Sequence, residues 1–234
     1  MKDSTVRDGA AQDKDRRLAA LPNRQVLADG VYEQIRILIM SHGIAPGARV
    51  NIDEIARELD VSGTPVREAL ARLESEELVS RLPLRGYRVT ELLTLREVDD
   101  LYSLRLLLEP PSAAKAAAMM TDAHAAELEA ELETCPSPPA GVDYEAYKAL
   151  TAHDTRLHEM ILNFAGNNAV EQAFARTHCH LHCFRLLYNE PFGEQTIIEH
   201  REIVAALISG KPGAAKKSMA VHLETARDRF LSRF

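Results

Sequence analysis

The sequence predicts a mainly α-helical chain with two parts, a small domain of three helices and a hairpin, and then a larger all-α bundle. Apolar residues recur at helical spacing in most segments, whereas strand signals are confined to residues 78–90. With 234 residues, 46% of them hydrophobic, the chain is long enough to bury two cores. We expect a charged, flexible tail over residues 1–24 and domains over residues 25–92 and 93–234.

Three helical patterns open the first domain. The apolar residues of 31–39 recur at helical spacing, and Asp29 is placed to cap the start of that helix. A second pattern covers residues 52–59 and ends at a sharp turn over residues 60–63. We expect the third helix to start with Thr64 as its cap and Pro65 at its first position, where a missing N–H costs nothing.

A basic hairpin follows the third helix. Residues 78–82 and 87–90 are typical of short strands, and Pro83-Leu84-Arg85-Gly86 is the turn between them. A helix that begins at a tight turn and exposes Thr and Arg suits the DNA major groove, and hairpin arginines suit phosphates. The order of elements favours this winged helix-turn-helix over a small helical domain with ordinary solvated arginines. The predicted DNA contacts are Ser62, Thr64, Pro65, Arg67, Arg72, Arg81, Arg85, Gly86 and Arg88.

The overall charge does not exclude nucleic acid. The formal net charge is −7, but residues 1–95 hold 14 basic and 15 acidic side chains, so the acidity lies mainly in the second part. The sequence has no run of 18 apolar residues and no apolar signal segment at its N-terminus. Three cysteines do not suggest a disulfide framework. We therefore expect a cytoplasmic protein that does not associate with membranes.

The second domain contains a candidate metal site. Asp154 and His158 are four residues apart and share a helix face. His200 and His222 each lie 11 residues from Lys211, the centre of the turn between two helices, so an antiparallel pair would place both at one level. Three imidazoles and a carboxylate suit divalent Zn, Ni, Mn or Fe and leave positions open for water or a small chelating anion. The alternative for any one of these histidines is a satisfied residue of the core.

The segment HCHLHC, residues 178–183, is a second unusual cluster. His178 and His182, like Cys179 and Cys183, are spaced to share a helix face. We interpret His178 and His182 as candidate effector contacts that extend the pocket. The cluster could instead hold a second metal or respond to oxidation, and the simplest alternative is that the cysteines are small packing residues.

Two stretches resemble known families. The run VSGTPVREAL, residues 61–70, with Leu73 and the later Arg85-Gly86-Tyr87, is similar to the N-terminal domain of the GntR family of bacterial transcription regulators. That resemblance covers about residues 31–92. From about residue 95 to 229, the four candidate ligands, with Arg105 and Glu109 in LYSLRLLLEP, resemble the FCD ligand-binding domain of the FadR-type branch. The resemblance implies a homodimer whose four ligands hold a metal and whose Arg105 faces a carboxylate effector.

The chain departs from the family pattern at two places. Gly63 occupies a position that is commonly an arginine that reads a base, so Arg67 is the remaining candidate for base readout. Pro110-Pro111 falls where relatives continue a helix, and we expect a kink or a break there. Such a break would move Arg105 relative to the pocket.

The sequence thus predicts a repressor that binds double-stranded operator DNA as a homodimer and responds to a small organic acid bound at the metal. We expect the linker over residues 92–96 to carry the response to the DNA-reading domains. One alternative is a regulator for which the metal itself is the signal or is structural, with no organic effector. A metalloenzyme is a further alternative, but four protein ligands and the lack of an evident general base disfavour it.

Overall fold

The computed structural model describes residues 24–139, 144–186 and 193–232. Of the predicted tail, residues 1–23 lie outside the described ranges. Within those ranges the chain is mainly helical, with a winged helix-turn-helix domain followed by an all-α domain, and the predicted fold class is confirmed.

The N-terminal domain packs three helices on a small sheet. Its elements are α1 (Arg24–Met40), β1 (Arg49–Val50), α2 (Ile52–Glu58), α3 (Gly63–Ser75), β2 (Val79–Leu82) and β3 (Gly86–Val89). The antiparallel sheet has the order β1-β3-β2, with Arg49 opposite Arg88 and Arg81 opposite Tyr87. The two-residue strand β1 escaped prediction because it is too short to show an alternating pattern.

Two predicted helix starts are wrong. Helix α1 begins at Arg24 and continues through the buried Ala28, so Asp29 lies inside the helix instead of capping it. Helix α3 begins at Gly63, and its N-cap is Ser62 rather than Thr64. Ser62 has extended backbone angles and makes no side-chain cap bond, so the N–H groups at the start of α3 are not capped by it.

The C-terminal domain is a bundle built around its first and last helices. Its elements are α4 (Leu95–Ala118), α5 (Asp122–Glu133), α6 (Tyr144–Phe164), α7 (Asn168–Ala175), α8 (Cys179–Leu186), α9 (Glu194–Ile208) and α10 (Pro212–Leu231). Helix α4 packs along α10 and also contacts α6 and α9. A capping box between Thr94 and Glu97 fixes its start.

The expected break at Pro110-Pro111 does not occur. Helix α4 runs through both prolines, and the chain leaves it only after Ala118. Each proline removes one N–H donor from the helix, but Pro110, Ala113, Ala116 and Ala117 are buried, so packing holds the segment helical. Arg105 therefore stays on the same continuous helix as Glu109.

The helical pattern over residues 167–189 predicts one helix, but the described part of that segment forms two helices, α7 and α8. His178 has a left-handed φ of 43° between α7 and α8, and this residue redirects the chain. The helical patterns over residues 143–164, 195–209 and 213–232 predict the bounds of α6, α9 and α10 to within one residue. No helix among the described residues is both long enough and apolar enough to cross a membrane.

Candidate metal centre and DNA interface

The four predicted metal ligands come together inside the bundle. Asp154 and His158 project from α6, His200 from α9 and His222 from α10, and one ligand atom of each lies within 4.8 Å of the others. All four side chains are buried, with exposures between 0% and 8%. Helical spacing in α6 and the matched distances from the α9–α10 turn account for this meeting.

Each of the three histidines has its Nδ1 atom held by a neighbouring side chain. The pairs are His158 with Glu109, His200 with His153 at 3.0 Å, and His222 with Glu199 at 2.7 Å. This arrangement leaves the Nε2 atom of each ring as the nitrogen available to a metal. Such outer partners fix the ring orientation of metal-binding histidines.

The Nε2 atoms of His158 and His200 are buried nitrogens that could bind a metal and make no hydrogen bond to a described residue. Nε2 of His158 is buried, has no hydrogen-bond partner among the described residues and lies 3.9 Å from Oδ1 of Asp154. Nε2 of His200 lies 3.1 Å from the same oxygen, but the two groups lack hydrogen-bond geometry. Because a buried polar nitrogen without a partner is costly, the converging donor set fits a divalent metal ion.

The electrostatics of the centre favour the protonation states that a metal needs. Burial lowers the pKa of His200 to about 3 and also lowers the pKa of His222, so both rings are neutral near pH 7. Burial acts to raise the pKa of Asp154, but His180 and His200 hold that pKa well below its usual range. A charged carboxylate and neutral imidazoles are the forms that bind metal.

Carboxylates buried around the centre complete its outer layer. Glu131 accepts from Arg156 at 2.9 Å and lies 3.0 Å from Nδ1 of His153, which in turn reaches His200. Glu199 accepts from Arg229 at 2.7 Å and 3.0 Å. Burial would raise the pKa of Glu199, but its bonds to His222 and Arg229 hold that pKa at about 2.

Sequence reasoning missed these outer residues. His153 and Glu199 each precede a ligand by one residue, and a neighbour on a helix points about 100° away from it. Each nevertheless contacts a ligand on another helix, a relationship that sequence spacing within one helix does not contain.

Arg105 lies beside the metal centre but is already engaged. It is 3% exposed and donates from Nε to Glu109 at 2.6 Å, and its Nη2 lies 3.1 Å from Nε2 of His180. A cavity of about 50 Å³ adjoins it. Among the groups lining this cavity are Tyr102, Arg105, Asp154, His180, Cys183 and His222.

The structure brings His180, rather than His178 or His182, into this cavity. Oδ2 of Asp154 lies 3.4 Å from Nε2 of His180, whereas His178 and His182 line two other cavities. The prediction assumed one helix through all three residues. Since α8 starts only at Cys179, after the left-handed His178, the pair at positions 178 and 182 does not share a helix face.

The two cysteines of the same segment are packing residues by their surroundings. Cys179 and Cys183 are 2% and 3% exposed, and burial raises their pKa values to about 11 and about 12. Both are therefore neutral thiols near pH 7, the form that is a poor nucleophile and metal ligand. Among the described residues, the set of Asp154 and the three histidines is the one group placed to hold a metal.

The predicted DNA contacts divide by exposure. The side chains of Ser62, Thr64, Arg67, Arg81, Arg85 and Arg88 are exposed at the start of α3 and along the hairpin. Gly86 has a φ of +80° that suits its place in the turn. Pro65 is buried, and its contribution is to the start of the helix.

Arg72 is committed to its own domain. Its guanidinium pairs with Asp29 of α1 and lies 4.0 Å from the centroid of the Tyr32 ring. The hydroxyl of Tyr32 donates to Glu76 at 2.6 Å. These contacts tie the back of α3 to α1, so Arg72 has to leave them before it can reach DNA.

Two family models match the chain. The model described as "Bacterial regulatory proteins, gntR family" matches residues 27–89, and the FCD domain model matches residues 100–225. The second match alone covers more than half of the 234 residues.

Curated relatives match across both domains. An uncharacterized HTH-type transcriptional regulator of Streptomyces ambofaciens is 30% identical over 200 residues, which cover 85% of this chain and 82% of the relative. The uncharacterized HTH-type regulator YdhC of Bacillus subtilis is 27% identical over 202 residues, which cover 82% of this chain and 85% of YdhC. Among solved structures, McbR/YncC of Escherichia coli has a TM-score of 0.65 at 21% identity, covering 88% of this chain and 98% of McbR. At that identity the likeness shows a shared fold.

Proposed function

The chain belongs to the GntR family of bacterial transcriptional regulators and carries an FCD domain, and we propose that it is a metal-containing repressor controlled by a small carboxylate. Its families and relatives are DNA-binding regulators and not enzymes. The observation that carries the proposal is the meeting of four buried ligands, with unused Nε2 atoms, in the same chain as a winged helix-turn-helix.

We propose that α3 reads the major groove and that the hairpin lies along the DNA backbone. The exposed Arg67 of α3 can bond both acceptors of a guanine. Arg81, Arg85 and Arg88 make no ion pair with any described residue that would hold them on the protein surface. Arg72 is the weakest of the proposed contacts, because its guanidinium already binds Asp29 and Tyr32. The operator is the double-stranded DNA partner, which implies that the regulator works in the cytoplasm.

The metal would be held by Asp154, His158, His200 and His222. A divalent ion bound there supplies Lewis acidity and open positions for an anionic ligand. Arg105, on the same side of the site, supplies a guanidinium that can pair with a carboxylate once its bond to Glu109 rearranges. His180 is a further polar contact, whereas His178 and His182 would contribute only through a change in the path of α8.

The size of the cavity limits the effector. The cavity of about 50 Å³ has room for roughly three to five water molecules, at ~10–15 Å³ each. A carboxylate of about two or three carbons, with about four or five non-hydrogen atoms, matches that space, and one of about four carbons is the upper limit. Larger acids would require Phe184 or other lining groups to move.

A homodimer is part of the proposal, and α4 offers a face for it. Leu104 and Leu107 are 38% and 73% exposed on one side of α4, and Pro111 is exposed one turn further along the same face. Apolar residues at this helical spacing form a stripe that a second copy of the chain would cover. Two copies would present two α3 helices to a two-fold symmetric operator.

Metal analysis of the purified chain tests the centre first. We expect one divalent ion per chain in the wild type and loss of that ion in His200→Ala. His124→Gln is the matched control, because His124 stacks on Phe164 at a centroid distance of 4.2 Å and is not one of the four ligands. Equal metal content in all three proteins would exclude the proposed centre.

Operator binding then tests the effector. With the metal bound, two- to four-carbon carboxylates should shift operator affinity by about fivefold or more, within the usual range of allosteric coupling. Arg105→Lys should reduce this response while keeping metal content. A response to metal alone, with none to any carboxylate, would favour the alternative in which the ion is the signal. A fold that melts when EDTA removes the ion would make the metal structural.

A further inference from the structure

Helix α8 touches both the candidate metal pocket and the DNA-reading domain. On one side, His180, Cys183 and Phe184 line the small cavity. On the other, Leu181 and Phe184 pack against the hydrophobic core of the N-terminal domain. This eight-residue helix, which also packs against α6, thus contacts both the pocket and the DNA-reading domain.

Arg185 makes the polar part of the contact with the N-terminal domain. Its Nη1 donates to Oγ1 of Thr90 at 2.9 Å, and its Nη2 donates to the main-chain oxygen of Thr90 at 2.7 Å. From the other direction, Nε2 of His42 donates to the main-chain oxygen of Arg185 at 3.1 Å. The end of α8 is therefore tied both to the segment after α1 and to the start of the linker that leads into α4.

Thr90 is a central point of the DNA-reading domain. Its hydroxyl donates to the main-chain oxygen of Glu77 at 2.8 Å, just after α3, and its amide donates to Leu78 at 3.0 Å. It also follows β3 directly. A displacement of Thr90 would thus reach the recognition helix and the hairpin together.

The burial of Arg185 is costly for a group with a purely structural role. The side chain is 1% exposed, and no carboxylate within the described ranges lies at ion-pair distance from it. Its Nε atom has no hydrogen-bond partner in the part of the chain that the structure describes, and burial lowers the pKa of the guanidinium to about 10. The guanidinium is held instead by its two hydrogen bonds to Thr90, so its position is tied to that residue of the DNA-reading domain.

We propose that α8 couples the metal pocket to the DNA-reading domain, with Arg185 as the positioning residue for that domain. The proposal rests on the proposed metal site. A metal bound at Asp154 would alter the contact of that carboxylate with His180, 3.4 Å away, and α8 carries His180 and Arg185 on one rigid element. This route enters the DNA-reading domain at Thr90, just before the linker over residues 92–96.

Hydrogen exchange of the full-length chain, stripped with EDTA or loaded with Zn²⁺ alone, tests the coupling. In the wild type we expect zinc to slow exchange about fivefold or more in both α8 and residues 86–95. In Arg185→Met, zinc should slow exchange in α8 but leave residues 86–95 within twofold of the stripped protein (about the limit of such a comparison). Arg176→Gln is the control, because it removes an exposed arginine of the same region and should behave as the wild type.

Each outcome decides between the proposals. The coupling would be overturned if zinc still slowed exchange over residues 86–95 in Arg185→Met. It would also be overturned if zinc did not slow exchange over these residues in the wild type. A large fall in melting temperature of Arg185→Met with the zinc response intact would make Arg185 a structural residue. If Arg185→Met does not fold, Thr90→Val is tested in its place. This variant removes one acceptor of Arg185 and keeps the main-chain oxygen, so zinc should slow exchange over residues 86–95 less than it does in the wild type. Failure of zinc to bind the wild type would overturn the metal site itself and with it the coupling.

Discussion

The guanidinium of Arg67 lies over Gly63. A Cβ atom built on Gly63 would be 2.9 Å from Nη1 of Arg67 and 3.6 Å from its Cζ. The two residues are four apart at the start of α3, so they occupy one face of that helix. Because Gly63 has no side chain, it leaves the space that the guanidinium of Arg67, the candidate for base readout, occupies.

We predict that Gly63→Ala weakens specific DNA binding. The added methyl group would displace the guanidinium of Arg67 from this resting place, and because the guanidinium ends a flexible side chain, only part of the ~1–3 kcal/mol of a bidentate contact to a guanine should be lost. Affinity for an operator selected from random duplexes should fall by up to about fivefold, while binding to non-specific DNA stays constant. The control is Gly30→Ala, since a Cβ on Gly30 meets nothing within 4 Å. An unchanged operator preference in Gly63→Ala would contradict this role of Arg67.

Glu199→Gln should weaken the metal site without removing it. Glu199 holds Nδ1 of His222 at 2.7 Å and is itself held by Arg229, so its charge orients a proposed ligand. Loss of such an outer partner typically costs 10- to 100-fold in metal affinity. Titration with Zn²⁺ against a competing chelator measures the change. Glu202→Gln, an exposed substitution on the same helix, should leave the affinity as it is.

The metal-free protein should lose stability as the pH falls from 7 to 5. Burial lowers the pKa of His182 to about 4, below the unfolded value near 6.5, so the unfolded chain binds the proton first and acid favours unfolding. At pH 5, which lies between these two pKa values, His182 alone lowers the free energy of unfolding by about 2 kcal/mol.

Urea unfolding in EDTA at pH 7 and pH 5 measures this contribution. His182→Gln should lose less stability between the two pH values than the wild type does, because glutamine takes up no proton. The variant should still lose some stability between pH 7 and pH 5, because burial also lowers the pKa values of His180 and His200, to about 3. Equal losses in the two proteins would show that His182 is not buried in its neutral form.

Leu107→Asp should convert the proposed dimer to a monomer. Leu107 is 73% exposed in the middle of the apolar face of α4, and a carboxylate there would be desolvated in the interface. Sedimentation velocity measures the oligomeric state. Leu84→Asp is the matched control, because Leu84 is fully exposed at the tip of the hairpin, away from α4. A wild type that sediments as a monomer would exclude a dimer through this face.

Much of the fold and of the candidate site follows from local patterns in the sequence. The spacing of Asp154 and His158 and the matched distances of His200 and His222 from their turn place four ligands together. Periodicity likewise locates most helices of both domains. These features need only the geometry of one helix or of one helical hairpin, which chain spacing contains.

Other features depend on contacts between distant segments, and tertiary structure alone decided them. Helix α4 continues through Pro110-Pro111 because its buried face packs against the bundle, against the local cost of the prolines. The left-handed backbone of His178 changes which side chains of the following helix point inward, so His180 faces the pocket. Arg72 turns back to Asp29, 43 residues earlier, and Arg185 reaches Thr90 across 95 residues. The sequence by itself determined which chemical groups this regulator has and which of them share a helix. Packing determined which neighbouring elements the side chains of each helix contact.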